Sequence, residues 1–372
     1  MYIKNLTLKN YRNYKFQSVN FSRGINILSG DNAQGKTNCA EAVFYLCTGY
    51  SPRAARDKQV IRYGESSASV TGKAVSQYGG VEVGIDFSAS ANKSIKINGV
   101  PIKKIGELMG NINSVFFNPG ELKLIQDSPE DRRRFMDISL SQMSKTYFYS
   151  LSKYRKILEQ RNVLLKNPDK EVIYATLPLW DEQLAVYCET IVKERLGFIK
   201  KLLPHAVAAH NFLSDGKENL TLSLESFFKD ESDIKSSFLI ALSERIEKDV
   251  ALGYTGIGPH RDDIKIKING EDVRVYGSQG QQRSCALSLK LAELEVFKER
   301  FGEYPVLILD DALSELDKTR RERLLKRTEN VQTIITCTDV PAEFSPSADI
   351  KIFKVENGVI SESAAVTEFL TK

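Results

Sequence analysis

The sequence predicts an α/β fold of mixed sheets plus helices, in which a nucleotide-binding layer is divided between the two ends of the chain. Three observations carry this. Gly30–Thr37 matches the phosphate-loop pattern G-x-x-x-x-G-K-[ST] in every fixed position. The apolar run 306–309 (VLIL), of buried-strand type, ends on Asp310-Asp311. Lys36 and Asp310 lie 274 positions apart (310 − 36), more chain than one such core needs between these parts. The stretch 121–250 is helical in pattern and is the candidate insertion. Residues 1–118 and 255–372 therefore read as two parts of one head domain, and 119–254 as an inserted, mostly helical arm or lobe.

Local patterns place the elements. Ile25–Leu28 is a short apolar strand. Residues 81–87 (VEVGIDF) and 94–99 (SIKING) alternate with period two, and Asn98-Gly99 signals a turn. Ser128 offers a hydroxyl N-cap, followed by Pro129 and the first-turn acids Glu130 and Asp131. Helical pattern runs from there to Asn167-Pro168, broken near Ser141–Ser144, and more helix is expected over roughly 178–203. Residues 264–270 (IKIKING) and 272–276 (DVRVY) read as a hairpin. A helix is expected over about 281–300. Strands follow at 306–309 and 332–336, and 349–360 closes with a hairpin signal at Asn357-Gly358.

Composition excludes some classes. Hydrophobic residues make up 42% of the 372, so a sizeable core is available. No apolar run approaches ~18 residues, so no membrane span is expected. The N-terminus lacks a signal-peptide pattern. Five scattered cysteines form no CxxC pair, which speaks against zinc and a disulfide framework and for a reducing cytoplasm.

The loop chemistry is direct. Glycines let the backbone of Gly30, Asn32, Ala33, Gln34 and Gly35 curl so that N–H groups point at phosphate oxygens, and the following helix, with Asn38 in its first turn, adds its N-terminal dipole. Lys36 is expected to reach the β- and γ-phosphates of ATP, and the Thr37 hydroxyl to ligate Mg²⁺. Asp310 is expected to share that Mg²⁺, and Asp311 to orient or deprotonate the attacking water. Adjacent acids repel, so the pair makes better sense beside a cation.

Tyr276–Arg283 (YGSQGQQR) resembles the signature motif of ABC-type ATPases, with Ser278, Gly280 and Gln281 in its working positions. In such proteins this turn faces the nucleotide of a second subunit, and 314–317 (SELD) meets the partner. The resemblance implies a C2 dimer with ATP sandwiched between two chains. Other motifs narrow the family: residues 8–14 (LKNYRNY), 117–122 (FNPGEL), 128–137 (SPEDRRRFMD), Tyr154–Lys156 through Gln160–Asn162, 258–263 (GPHRDD) and 278–283 (SQGQQR). Together they resemble the RecF family over nearly the full length. That implies an ABC/SMC-type P-loop ATPase head without a long coiled coil, acting in recombinational DNA repair and replication restart. It also implies weak ATP hydrolysis, ATP-driven dimerisation on DNA at single-strand gaps, and work with RecO and RecR to load RecA. Two departures from ABC chemistry favour slow turnover. Thr336–Asp339 (TCTD) stands where a histidine is usual, with Thr338 or Asp339 as substitutes, and the Q-loop glutamine has only Asn118 or Gln126 as candidates.

From Arg132 to Lys166 there are nine Lys/Arg and two acids, a net +7 against +4 for the chain. Basic helices can neutralise DNA backbone phosphates without reading sequence. The candidate DNA contacts are Arg132, Arg133, Arg134, Lys153, Arg155, Lys156 and Arg161, with Lys9, Arg12, Lys15, Arg53, Arg56 and Lys58 as lesser ones. His260 is read as structural. Two other readings compete. A transporter ATPase subunit would need a far shorter interval than the 242 residues (278 − 36) from phosphate loop to signature. A structural SMC-like chromosome protein would need long heptad arms.

Overall fold

Apolar runs from both ends of the chain meet in one sheet. In this computed structural model, residues 1–229, 232–314, 316–340, 344 and 350–363 are described. By packing, the chain forms two compact units, Met1–Glu121 with Leu287–Lys372, and Leu122–Ala286. The expected segment 255–372 is thus shared between them: 255–286 packs in the second unit, and the rest in the first.

The first unit opens with β1 (Tyr2–Tyr11), β2 (Tyr14–Asn20), β3 (Ile25–Ser29), α1 (Lys36–Thr48), β4 (Ser67–Ser76), β5 (Gly79–Ser88), β6 (Ser94–Ile97), β7 (Val100–Pro101) and β8 (Ser114–Phe117). The second unit holds α2 (Lys123–Gln126), α3 (Pro129–Met143), α4 (Lys145–Leu164), α5 (Lys170–Ser214), β9 (Leu220–Glu225), α6 (Ile234–Glu244), α7 (Ile246–Leu252), β10 (Asp263–Ile268), β11 (Glu271–Asp272) and the single turn α8 (Val273–Tyr276). The residues of α9 (Gln279–Phe301) fall in both units. The first unit ends with β12 (Val306–Asp310), α10 (Lys318–Arg327), β13 (Thr333–Cys337), β14 (Ile350–Glu356) and β15 (Val359–Glu362).

Two sheets build the first unit. One is antiparallel, in order β2-β1-β4-β5-β6-β7. The other has order β15-β14-β3-β13-β12-β8 and is parallel except for β15. Ile27, Leu28, Ile308, Leu309, Ile334 and Ile335 are fully buried, as strands of a covered parallel sheet should be. The second unit carries α2 to α8 and the small sheet β11-β10-β9.

Several boundaries follow the sequence signals. The Ser128 hydroxyl accepts from Glu130 N, Pro129 opens α3, and Ser144 separates α3 from α4. Asn98-Gly99 and Asn357-Gly358 turn with positive φ at all four residues. Three expectations need correction. Helix α5 runs from Lys170 to Ser214 with Pro178 and Pro204 inside it, so neither proline ends it. Residues 273–276 form a helical turn rather than the hairpin's second strand, because Asp272 caps it by accepting from Arg274 N at 2.9 Å. Residues 220–225, within the segment expected to be helical, form β9.

Candidate nucleotide-binding site

Parallel strands place their carboxyl ends at one edge, where ligands of α/β sheets bind. Register brings three groups together there. Thr336 on β13 stands opposite Leu28 of β3 on one side and Asp310 of β12 on the other.

The loop between β3 and α1 is held in a tight curl. Gly30 has φ 148°, and a Cβ there would lie 2.3 Å from the Val355 carbonyl oxygen. Gly35 has φ 120°, and its Cβ would lie 2.5 Å from Asn13 Nδ2 and 2.9 Å from the Tyr14 hydroxyl. Both positions therefore need glycine. Asn13 Nδ2 donates to Gln34 O at 2.7 Å, and the Tyr14 hydroxyl donates to Gly35 O at 2.8 Å. Asn38 Nδ2 donates to Asn13 Oδ1 at 2.9 Å, and Asn357 N donates to the Gln34 side-chain oxygen at 2.6 Å. Asp31, Asn32 and Ala33 are exposed at the tip. Lys36, 8% exposed, donates its ammonium to the carbonyls of Gly30 and, at 2.8 Å, Asp31.

The acidic end of β12 faces the same place. Asp310 is buried, and the Thr336 hydroxyl donates to its Oδ1 at 2.7 Å. The Thr37 hydroxyl is near enough to favour its charged form as well. Burial pushes the Asp310 carboxyl above its ordinary range, against the pull of these two hydroxyls. Asp311 is exposed, with φ 53°, and its backbone N donates to Thr336 Oγ1 at 2.9 Å. This arrangement fits Mg²⁺: a hard, buried carboxylate lies in contact with a hydroxyl on the first turn of the phosphate-loop helix. Thr37 and Asp310 would hold the ion, and the curled loop with Lys36 would hold the phosphates. The sequence brought forward Lys36, Thr37, Asp310 and Asp311. It missed the roles of Asn13, Tyr14 and Thr336, although Thr336 opens the TCTD segment that stands where a histidine is usual.

The signature turn lies in the second unit. Ser278 N donates to Gln281 Oε1 at 2.9 Å, and Gln281 N donates to Ser278 Oγ at 3.3 Å. This reciprocal pair is a capping box at the start of α9. Gly280 follows Gln279 in the first turn, and Ser278 is exposed. Gln126 Nε2 donates to Gln282 Oε1 at 2.8 Å. Asn118 follows β8. Thr338 and Asp339 are exposed beyond β13, and Thr338 O accepts from Gly30 N at 3.2 Å. Glu315 of the 314–317 segment lies outside the described residues.

The basic stretch divides by burial. Arg132 is 3% exposed and binds Asp263 through Nε at 2.5 Å and Nη2 at 3.0 Å. Arg161 is fully buried among Asp181 (2.6 Å), Asp249 (2.9 Å) and Thr255 (2.8 Å). Neither can meet a DNA phosphate, so both are corrected to structural residues. Arg133 donates to Asp262 O at 2.8 Å and is half-buried. Arg155 is exposed and pairs with Asp137 at 2.7 Å. Arg134, Lys153 and Lys156 are exposed. The aromatics Phe135, Tyr147 and Tyr154 are core. Arg12 is engaged by the buried Glu41 at 2.7 and 2.8 Å, which removes it too from the DNA candidates. Lys9, Lys15, Arg53, Arg56 and Lys58 are exposed. His260 is half-buried, bonded to the Tyr154 hydroxyl (2.7 Å) and Thr255 O (3.0 Å), as a structural residue would be, and the partial burial pushes its pKa down to about 4.

Comparisons with known proteins identify the family. Residues 2–361 match the family described as the RecF/RecN/SMC N terminal domain. The chain is 43% identical to the DNA replication and repair protein RecF of Ruminiclostridium cellulolyticum, over 97% of this chain and 99% of that one. It is 42% identical to the RecF of Clostridium perfringens over the same shares. A solved structure of the recombination mediator protein RecF-ATP in the RecFOR pathway superposes with a TM-score of 0.87, at 34% identity and 98% coverage of both chains. An SMC head bound to the C-terminal winged-helix domain of ScpA, 17% identical with a TM-score of 0.58, shares the fold. No helix among the described residues is long and apolar enough to cross a membrane.

Proposed function

Because this chain belongs to the RecF family, an ATP-binding family of DNA replication and repair, we propose that it works as a slow, DNA-stimulated ATP switch closing on gapped DNA as a dimer. The relatives leave the transporter reading without support. The observation that carries the switch is the convergence of the phosphate loop, Thr37 and Asp310 at one sheet edge. Lys36 binds the β- and γ-phosphates, Thr37 and Asp310 hold Mg²⁺, and Asp311 orients the attacking water. Bound there, Mg²⁺ would neutralise charge on the phosphates. The capped turn at Ser278, Gly280 and Gln281 of a second copy completes the site across a twofold axis. The head that dimerises comprises 1–118 and 255–372, with 119–254 inserted and 255–286 packed in the same unit as that insertion. Exposed Arg134, Lys153, Arg155 and Lys156 contact DNA phosphates, with RecO and RecR as partners in placing RecA at single-strand gaps.

Binding to duplex, single-stranded and gapped DNA, measured side by side with and without ATP, tests this. ATP should strengthen binding most on gapped DNA, and affinity should fall steeply with salt. Asp311→Asn should keep ATP and accumulate as the DNA-bound dimer. ATP-independent binding, or rapid turnover by that variant, would reject the switch.

A further inference from the structure

Resting on this nucleotide site, we propose that Thr336 is the positioning residue that orients the Asp310 carboxylate for the metal and fixes the backbone of Asp311. Its side chain is fully buried near the end of β13. A hydroxyl has one proton and two lone pairs. Here the proton goes to Asp310 Oδ1 at 2.7 Å, so the bond from Asp311 N at 2.9 Å must be accepted. One side chain therefore fixes the first acid by its carboxylate and the second by its backbone. That backbone needs fixing, because Asp311 sits at φ 53°, where a non-glycine residue is strained. Asp311 N also donates to Thr336 O at 3.2 Å, so both bonds made by this N–H go to one residue.

The two hydroxyls on Asp310 differ in what ligand binding does to them. Thr37 belongs to the first turn of α1, and its oxygen is the one that would turn to the cation. Thr336 lies across the parallel ladder and stays with Asp310. It orients the carboxylate before and after the ion arrives, the role that outer partners of metal ligands commonly fill. Valine has the same shape but neither function of the hydroxyl, whereas serine keeps both.

The test uses the full chain and a fluorescent ATP analogue, with Mg²⁺ titrated at fixed nucleotide. Thr336→Val should raise the Mg²⁺ midpoint by roughly 10- to 100-fold, with nucleotide affinity in EDTA unchanged. That EDTA value also reports that the loop is folded. Thr336→Ser should stay within about twofold of the parent, by the hydroxyl accounting above. A parental midpoint in Thr336→Val overturns the proposal, as does a serine variant shifted as far as valine. If the valine variant fails to fold, a serine variant whose midpoint rises roughly tenfold or more still overturns the proposal. Asp310→Asn separates the two levels: if it binds the Mg²⁺ complex like the parent, the metal site itself is wrong, and the role of Thr336 falls with it.

Discussion

Replacing Arg161 by methionine should cost stability and leave DNA binding alone, the reverse of what its place in a basic run suggests. Its guanidinium is fully buried, with Nε on Asp181 at 2.6 Å and Nη1 shared by Asp249 at 2.9 Å and the Thr255 hydroxyl at 2.8 Å. Asp249 is fully buried and Asp181 nearly so. Burial already holds the Asp181 carboxyl above its ordinary range despite the bond from Arg161, and Asp249 adds to the rise. Methionine fills most of the volume but strands Asp181 and leaves Asp249 only Gly256 N at 3.2 Å and Arg245 at 3.8 Å. Breaking a buried pair this way costs about 3–5 kcal/mol, far more than the 0–1 kcal/mol of an exposed pair. The single tryptophan, Trp180, is next to Asp181 on α5, so urea unfolding can be followed by its fluorescence in this unit. The expected result is a loss of about 3–5 kcal/mol with an unchanged salt slope for DNA binding. Lys153→Ala and Lys156→Ala should do the opposite, flattening the slope by roughly 0.7–0.9 each. A parental urea midpoint for Arg161→Met, or a slope lowered by one charge, would refute the reasoning.

Two further outcomes follow. Gly35→Ala should abolish nucleotide binding, because its Cβ would sit 2.5 Å from Asn13 Nδ2 at φ 120°, while the Trp180 transition stays put; equilibrium dialysis with ATP reads the first and urea melts the second. His260 is neutral in the fold down to about pH 4, while its unfolded pKa is 6.5. The unfolded chain therefore binds more protons between these values, and stability falls as pH drops through that window, by about 2 kcal/mol at pH 5 from this group. His260→Gln should lose that part of the slope, and a parental pH profile in that variant would count against the assignment.

What the sequence made legible was local. The phosphate loop was readable because its glycines answer to backbone geometry within eight residues, and the Ser128 cap because its acceptor lies two positions from its donor. The Asp310 strand end was readable because a buried parallel strand is a continuous apolar run. The misreadings involve partners far along the chain. Nothing near Arg132 or Arg161 announces Asp263, Asp181 or Asp249, so burial turned apparent DNA contacts into structural ion pairs. The alternation of Val273-Arg274-Val275 suggests a strand, yet Asp272 beside it caps a helical turn. The helix expected over roughly 178–203 extends beyond both bounds, with Pro178 and Pro204 inside α5. Thr336 was hidden for the same reason as Arg161: its partners, Asp310 and Asp311, are distant in sequence and meet it only through the sheet register.

The composite site can be tested by mixing two defective chains. Lys36→Ala spoils the phosphate loop and Ser278→Arg spoils the signature turn, so with ATPγS and Mg²⁺ each alone should sediment as a monomer. Mixed in equal amounts, they should form heterodimers through one intact pairing, the loop of the Ser278→Arg chain against the turn of the Lys36→Ala chain. If the mixture stays monomeric while the parent dimerises, or if either variant dimerises alone, ATP is not held between two copies in this way.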